Sequence, residues 1–422
     1  MTQMYVNDPD FNLTRRVRPS RNEFQTEKQI DTHARTYTYT RMLIAASCRH
    51  RLATTITAKT TTRNIHHPLR CTFASLPETF QAWRVNKQED GTFGGSEQTL
   101  HTATDLATFA EGTETVTIQV THSSLNFKDA LSASGNKGVT RNFPHTPGID
   151  AAGYVVDTSD DSDSYDDSQK PVLVTGYDLG MNTDGGFGEV IRVPKNWVID
   201  MPDPWTQNPR APMIYGTAGL TAALMVHKLI QRAEAVAGQT VAVTGATGAV
   251  GSVTVELLSR LGYHVVAITG KASSMEHLKT LGAQEVLPRE EVLQINKKPL
   301  LKPRFDHAID TVGGAPLVEL LKQIKPDGSV ACCGNAAGIG LPDATVLPFI
   351  LRGVQLLGVD SVDIDVALKS AIWQKLAHEW MCPVTEANAT DIGRHQLKEY
   401  LDKFLTGQSC GKVVLDHSST KM

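Results

Sequence analysis

The strongest pattern along the chain is an apolar run, Val241 to Val243, that stops at Thr244-Gly245-Ala246-Thr247-Gly248-Ala249-Val250-Gly251-Ser252 and passes into helical spacing at Val255, Leu257, Leu258 and Leu261. A short apolar run ending in glycine predicts a buried strand, and the spacing after it gives a helix one apolar face. Gly262 ends that helix, and β character resumes over 264–269. Further apolar runs at 285–287, 307–312, 329–333 and 354–359 alternate with helical stretches. Such alternation predicts an α/β architecture with a mostly parallel, doubly wound sheet.

Upstream the pattern differs. From residue 81, segments 82–85, 116–120, 148–156, 172–175 and 189–193 read as strands separated by Gly, Pro and Asp turns, a β-rich unit preceding the α/β one. The acidic stretch 157–167 is too charged to bury and is expected as a solvated hairpin tip, without the ligand spacing of an EF-hand loop. Residues 42–76 carry Arg49, Arg51, Lys59, Arg63 and Arg70 and no acid, the composition of an organellar (mitochondrial or plastid) transit peptide. Asp8, Asp10, Glu23, Glu27 and Asp31 lie before it. The alternatives are therefore targeting, with Met42 as the start, or a disordered tail and a cytoplasmic protein.

Composition narrows the function. With 41% hydrophobic and 20% charged residues in 422, the chain is long enough for two globular domains. A net charge of −4 argues against a nucleic-acid partner, and no uninterrupted apolar run approaches a membrane span. Cys48, Cys71, Cys332, Cys333, Cys382 and Cys410 match neither a disulfide framework nor a structural zinc lobe. Cys332 and Cys333 read as small core residues that let backbone approach a ligand.

The glycine turn is where the chemistry starts. Free N–H groups at a helix N-terminus, approached through glycines, suit a dinucleotide pyrophosphate, so the stretch reads as a Rossmann βαβ unit with Gly245, Thr247, Gly248, Ala249 and Val250 at the phosphates; the alternative is that the small residues only permit close packing of strand and helix. Enzymes that prefer NAD place Asp or Glu at the end of the second strand. This chain has Thr269, Gly270, Lys271, Ser273 and Ser274 there, and Arg289 after the next strand. A carboxylate would repel a 2′-phosphate and these groups would bind it, so the expected cofactor is NADPH; the alternative is that Lys271 is a solvated surface lysine.

Taken in order, Ser123-Ser-Leu-Asn-Phe-Lys-Asp-Ala130, Arg141-Asn-Phe-Pro144, Pro147-Gly-Ile-Asp150, Gly216-Thr-Ala-Gly219, Val243-Thr-Gly-Ala246, Leu287-Pro-Arg289, Ile309-Asp-Thr-Val-Gly313, Leu347-Pro-Phe-Ile-Leu-Arg352 and Gly358-Val-Asp-Ser361 resemble the medium-chain dehydrogenase/reductase superfamily. Within it the chain is most similar to the zinc-free quinone-oxidoreductase-like branch that contains the bacterial acrylyl-CoA reductases, over about residues 81–415. The resemblance implies a GroES-like β-barrel catalytic domain, a Rossmann domain inserted in it, an active cleft between them and a homodimer. Its divisions would be an extension at 1–80, the first part of the catalytic domain at 81–213, the NADP-binding domain at 214–360 and the returning part at 361–422, with 214–228 as the bridging helix. Where zinc enzymes of the superfamily carry Gly-His-Glu this chain has Gly148-Ile149-Asp150, and no cysteine lies between 81 and 307, so no metal is expected.

The implied reaction is NADPH-dependent reduction of acrylyl-CoA, or a similar short enoyl-CoA thioester, to propionyl-CoA. Hydride reaches the β carbon while charge develops on the thioester oxygen, and the α carbon then takes a proton. Resemblance places Asn126, Phe127, Lys128 and Asp129 at the nicotinamide, with Asn126 orienting the carbonyl, Lys128 as donor or phosphate contact and Asp129 holding it. Acrylyl-CoA reductases carry Tyr where Phe127 stands, so a phenolic role is not carried over; Tyr177 is a substitute candidate. The bland alternative has Asn126 and Asp129 satisfying turn backbone groups and Lys128 pairing with Asp129. Cys333, Gly334 and Asn335 fall near the nicotinamide ribose, and Gly411 and Lys412 would meet the cofactor from the barrel side. Arg141 and Arg352 are candidates for a substrate phosphate or carboxyl group, or else for a domain-interface salt bridge. The competing functions are a quinone or enone reductase and a non-catalytic NADPH-binding protein.

Overall fold

The computed structural model describes residues 76–158, 169–408 and 411–419. The proposed transit segment and most of the acidic tip therefore lie outside the described residues.

The front half builds β1 (Thr79–Lys87), β2 (Phe93–His101), β3 (Thr115–Ser124), β4 (Asp150–Thr158), β5 (Pro171–Thr175), β6 (Val190–Pro194) and β7 (Ile199–Asp200). β1 and β2 form an antiparallel hairpin. Strand β2 escapes sequence reading because Phe93-Gly-Gly-Ser-Glu-Gln-Thr-Leu-His101 has almost no apolar alternation; its glycine at 95 lets the Trp83 ring lie against its backbone, where any Cβ would collide. β3 is the hub, antiparallel to both β4 and β6. Val116, Ile118 and Val120 of β3 alternate inward and pack with Val155, Val172, Val174, Ile191 and Val193.

The α/β half contains β8 (Thr240–Val243), β9 (His264–Thr269), β10 (Glu285–Pro288), β11 (Phe305–Asp310), β12 (Ile324–Cys332) and β13 (Gln355–Gly358), all paired in parallel in the order β10-β9-β8-β11-β12-β13. That order reverses direction between β8 and β11, which opens a crevice beyond their carboxyl ends. The chain then returns: β14 (Thr390–Ile392) and β15 (Val413–Asp416) extend the first sheet, with β15 antiparallel to β3.

Five helices matter to the site and its surroundings: α1 (Phe127–Ala133), α2 (Arg210–Arg232), α3 (Ala249–Arg260), α4 (Leu347–Arg352) and α5 (Leu397–Leu405). Helix α2 is longer than the 214–228 expected, because a first turn on the barrel side continues into it across a break at Gly216, which has φ 53° and ψ −160°. By length and hydropathy α2 would pass for a membrane span, contrary to the sequence reading, but 78% of its apolar window is buried inside the protein.

Candidate active site

The crevice is built from backbone that tolerates no side chain. Gly245 has φ +58°, and a Cβ there would run into the Thr311 hydroxyl; one at Gly251 would strike the Gly245 carbonyl. Thr244 donates its hydroxyl to Asp310 Oδ1 at 2.7 Å, and Thr311 returns a hydroxyl bond to the Thr244 carbonyl at 2.9 Å, tying the ends of β8 and β11 together. Asp310 also accepts from Gly313 N at 2.7 Å, which folds the next loop back. Gly334 packs so tightly on the Thr311 main chain that no Cβ fits. Beside this frame α3 begins at Gly248, exposed and without a side-chain cap, so the first amides of Ala249 and Val250 are free for an anion. Thr247 is half-buried, Cys333 is half-buried with its thiol pushed up to about 12 by burial, and Asn335 is exposed.

At the far end of the crevice the Arg289 guanidinium lies over Gly270, its Cζ 3.2 Å from where a Cβ would stand. Its Nη2 reaches Glu290 at 3.2 Å, an exposed pair that contributes little. Thr269 Oγ accepts from Lys271 N at 3.0 Å, and Lys271 Nζ donates to the Gly407 carbonyl at 3.0 Å. Ser273 is exposed. Gly270 and Arg289, two of the residues expected at a 2′-phosphate, thus meet at the end of β9, with the Glu290 carboxylate against the guanidinium, while Lys271, the next residue along, turns its ammonium to Gly407.

On the barrel side the motif 126–129 turns from β3 into α1. Asn126 is the cap residue: Asp129 Oδ2 accepts from Asn126 N at 2.7 Å, and the Asp129 amide donates to the Asn126 main-chain carbonyl at 3.1 Å. Asp129 Oδ1 accepts from Ile149 N at 2.9 Å. Burial, and next the charge of Asp150, push the Asp129 carboxyl up to about 7. Asp150, also fully buried, accepts from Thr217 N at 2.7 Å, Thr217 Oγ1 at 2.6 Å and Asn126 Nδ2 at 2.8 Å; burial raises its carboxyl as well. Gly216 makes this contact possible, since a Cβ there would fall 2.5 Å from Asp150 Oδ2 and collide with Ser124. Phe127, the first residue of α1, is 52% exposed, an apolar surface beside this polar cluster.

Several sequence expectations change. Lys128 and Asp129 do not act as a pair: Asp129 is sequestered among backbone amides and Asn126, while Lys128 is half-buried on the neighbouring face of α1. Lys412 is buried and donates to the Tyr215 carbonyl at 2.7 Å, so it seals the open end of the α2 break rather than facing a ligand; burial lowers it to about 8. Arg352 is removed from the substrate set: its Nη1 serves the Lys322 and Ile324 carbonyls at 2.9 and 3.1 Å, and its Nη2 the Leu301 carbonyl at 2.6 Å. Arg141 stays exposed, with its main-chain N bound to Asn182. Tyr177 stacks on Trp197 and lies under the ammonium of buried Lys369, and burial together with Asp363 and Asp365 raises its phenol, which disfavours it as a proton donor. Gly411 has φ +71°, the turn into β15. Cys332, Cys333 and Cys382 are free thiols. Thr217 and the carboxylate of Asp150 were missed as parts of the site; the only hint was that both stand in motifs, Gly216-Thr217 and Ile149-Asp150, on which the family resemblance rests.

Among the described residues no group of three or more His, Cys, Asp or Glu side chains is placed to hold a metal ion, so the donors do not fit a zinc centre.

Residues 112–203 match the alcohol dehydrogenase GroES-like domain, and residues 249–380 the zinc-binding dehydrogenase family. The chain is 41% identical over 329 residues to the probable acrylyl-CoA reductase AcuI of Escherichia coli, covering 78% of this chain and 97% of that one. It is 40% identical over 300 residues to the putative quinone oxidoreductase YhfP of Bacillus subtilis, covering 71% of this chain and 87% of that one. The crystal structure of YhfP with NAD bound aligns with a TM-score of 0.74 at 36% identity over 81% of this chain and all of that one. The YhdH oxidoreductase of Salmonella enterica in complex with NADP aligns with a TM-score of 0.73 at 38% identity over 80% of this chain and 99% of that one. With a GroES-like barrel and a Rossmann sheet, the chain belongs to the medium-chain dehydrogenase/reductase superfamily, beside the acrylyl-CoA reductases and the quinone-oxidoreductase-like proteins, and is an NADPH-dependent oxidoreductase.

Proposed function

We propose that the enzyme reduces acrylyl-CoA, or a closely similar short enoyl-CoA thioester, to propionyl-CoA. The observation that carries this reading is the match to an acrylyl-CoA reductase over 97% of that protein's length. Bound NADPH supplies the hydride. The open amides at the start of α3 hold its pyrophosphate, and Arg289 with Lys271 hold the adenosine phosphate. Asn126 and the exposed ring of Phe127 align the reacting carbons and keep water from them. Arg141, exposed near the cleft entrance on this reading, meets an anionic group of the thioester.

A quinone or enone reductase is the second reading, favoured by the similarity to YhfP and by the apolar Phe127 where a phenol would serve an enoyl reductase. Anaerobic NADPH oxidation with acrylyl-CoA, crotonyl-CoA and a simple quinone separates the two. A catalytic efficiency at least roughly tenfold higher for acrylyl-CoA supports the first, and the reverse ranking overturns it.

The homodimer belongs to the same proposal. Val346, Phe349, Ile350 and Leu351 are exposed on and just before α4, next to β13, an edge of the parallel sheet, and a second copy would cover them. Light scattering on Ile350→Glu against the unmodified protein tests it, with a monomeric unmodified protein as the contrary result. The Arg-rich segment 42–76 supports delivery to a mitochondrion or plastid, and a fluorescent fusion of residues 1–80 that stayed in the cytosol would reject that.

A further inference from the structure

A carboxamide turned over by half a rotation exchanges its donor and acceptor ends, and little distinguishes the two orientations except the neighbours. Around Asn126 the neighbours are one-sided. Its Nδ2 faces Asp150 Oδ2 at 2.8 Å, the Ser124 carbonyl at 3.3 Å and Asp129 Oδ2 at 3.4 Å, all acceptors. The opposite orientation would set the amide oxygen against the same three oxygens. Asp150 is the nearest of them and is itself immobilised, with Oδ1 bound to the Thr217 hydroxyl and Oδ2 to the Thr217 amide across the break at Gly216. Asn126 Oδ1, by contrast, meets no donor among the described residues other than the Asp129 amide of its own capping box and keeps a lone pair for another, in a side chain otherwise nearly buried.

We propose that Asp150 is a positioning residue that fixes the polarity of Asn126: it draws the amide hydrogens inward and leaves Oδ1 as an acceptor for a donor on the nicotinamide riboside, a ribose hydroxyl or the carboxamide NH2. On this proposal Asn126 orients the reacting partners through the cofactor and does not donate to a substrate carbonyl, because its hydrogens are engaged by Asp150 and its neighbours. The proposal rests on the reading that the 126–129 turn faces the cofactor. Asp150 touches no ligand; it acts through Asn126, and it belongs to the same buried knot that holds helix α2 open at Gly216.

The test is a double-mutant cycle on NADPH affinity, read by fluorescence titration of the full chain. Asp150→Ala removes the acceptor nearest to Asn126 Nδ2, whereas Asp150→Asn keeps an amide oxygen on the Thr217 amide and hence facing Asn126, with its NH2 towards the Thr217 hydroxyl. The expected result is an NADPH dissociation constant raised about fivefold or more by Asp150→Ala in the otherwise unmodified protein, less than about twofold in an Asn126→Ala background, and largely restored in Asp150→Asn. Equal factors in both backgrounds, or no change in either, overturn the proposal, since a purely structural role would weaken binding alike with or without Asn126. If Asp150→Ala does not fold, neutron diffraction on the unmodified protein decides directly: deuterium on the Asn126 atom facing Asp150 is expected, and a bare oxygen there refutes it. An unmodified protein that bound no NADPH would remove the cofactor reading, while the neutron map would still decide the orientation.

Discussion

Replacing Gly216 by Ala perturbs one Cβ at the junction of barrel and nucleotide domain. The residue has φ 53° and ψ −160°, a region open in practice only to glycine, and holding an alanine there costs on the order of 1–3 kcal/mol. The new methyl would also stand 2.5 Å from Asp150 Oδ2 and against Ser124, with overpacking worth roughly another 1–3 kcal/mol. The sum is about 4 kcal/mol. At about 2 cal/mol/K of unfolding entropy per residue over some 350 residues, that lowers the melting temperature by about 5 °C. Gly238 is the control: its φ is +88° but nothing lies within 4 Å of a Cβ, so Gly238→Ala carries strain alone, about 1 kcal/mol and one or two degrees. Calorimetry of both variants at one protein concentration and without NADPH makes the comparison. If Gly216→Ala melts within a degree of Gly238→Ala, the contact with Asp150 does not exist as described and the knot around it must be redrawn.

Three further outcomes follow from the same geometry. Arg289→Ala removes the cation over Gly270 and should raise the KM for NADPH about tenfold or more while leaving NADH turnover nearly unchanged; parallel loss with both cofactors would place the guanidinium elsewhere. Arg352→Ala takes the guanidinium donor from the Leu301, Lys322 and Ile324 carbonyls, of which that of Lys322 keeps the Leu301 amide, so it should cost about 1–3 kcal/mol of stability in thermal denaturation and leave the KM for the thioester unchanged; a raised KM with unchanged melting would restore Arg352 to the substrate site. Asp129 ionises near 3.8 when unfolded and near 7 when folded, so the folded protein holds the extra proton between those values. Stability from this group is therefore highest at low pH and declines as pH rises from about 4 to 7. Against Asp129→Asn, melting of the unmodified protein should fall across that window and run parallel above it, and parallel curves throughout would mean that Asp129 is ionised from the start.

What the sequence decided by itself is the nucleotide half. Strand, glycine turn, helix and second strand follow one another within 241–269, and their hydrophobic periods and glycines are local signals that need no knowledge of the rest of the chain. The meeting of Arg289 with Gly270 was legible for the same reason: Gly270 and Lys271 close that unit, and Arg289 follows the very next strand. Adjacency in sequence was misleading at 128–129, because consecutive helical residues point about 100° apart, which sends Asp129 inward and Lys128 away. Arg352 read as a free cation since nothing local shows that the carbonyls of Leu301, Lys322 and Ile324 converge on it. The cluster of Asn126, Asp150, Thr217 and Lys412 draws on segments nearly three hundred residues apart. It was decided only when β3, β4, β15 and the broken helix α2 met, because the hydrogen bonds that give each of these side chains its role come from partners that packing alone brings within reach.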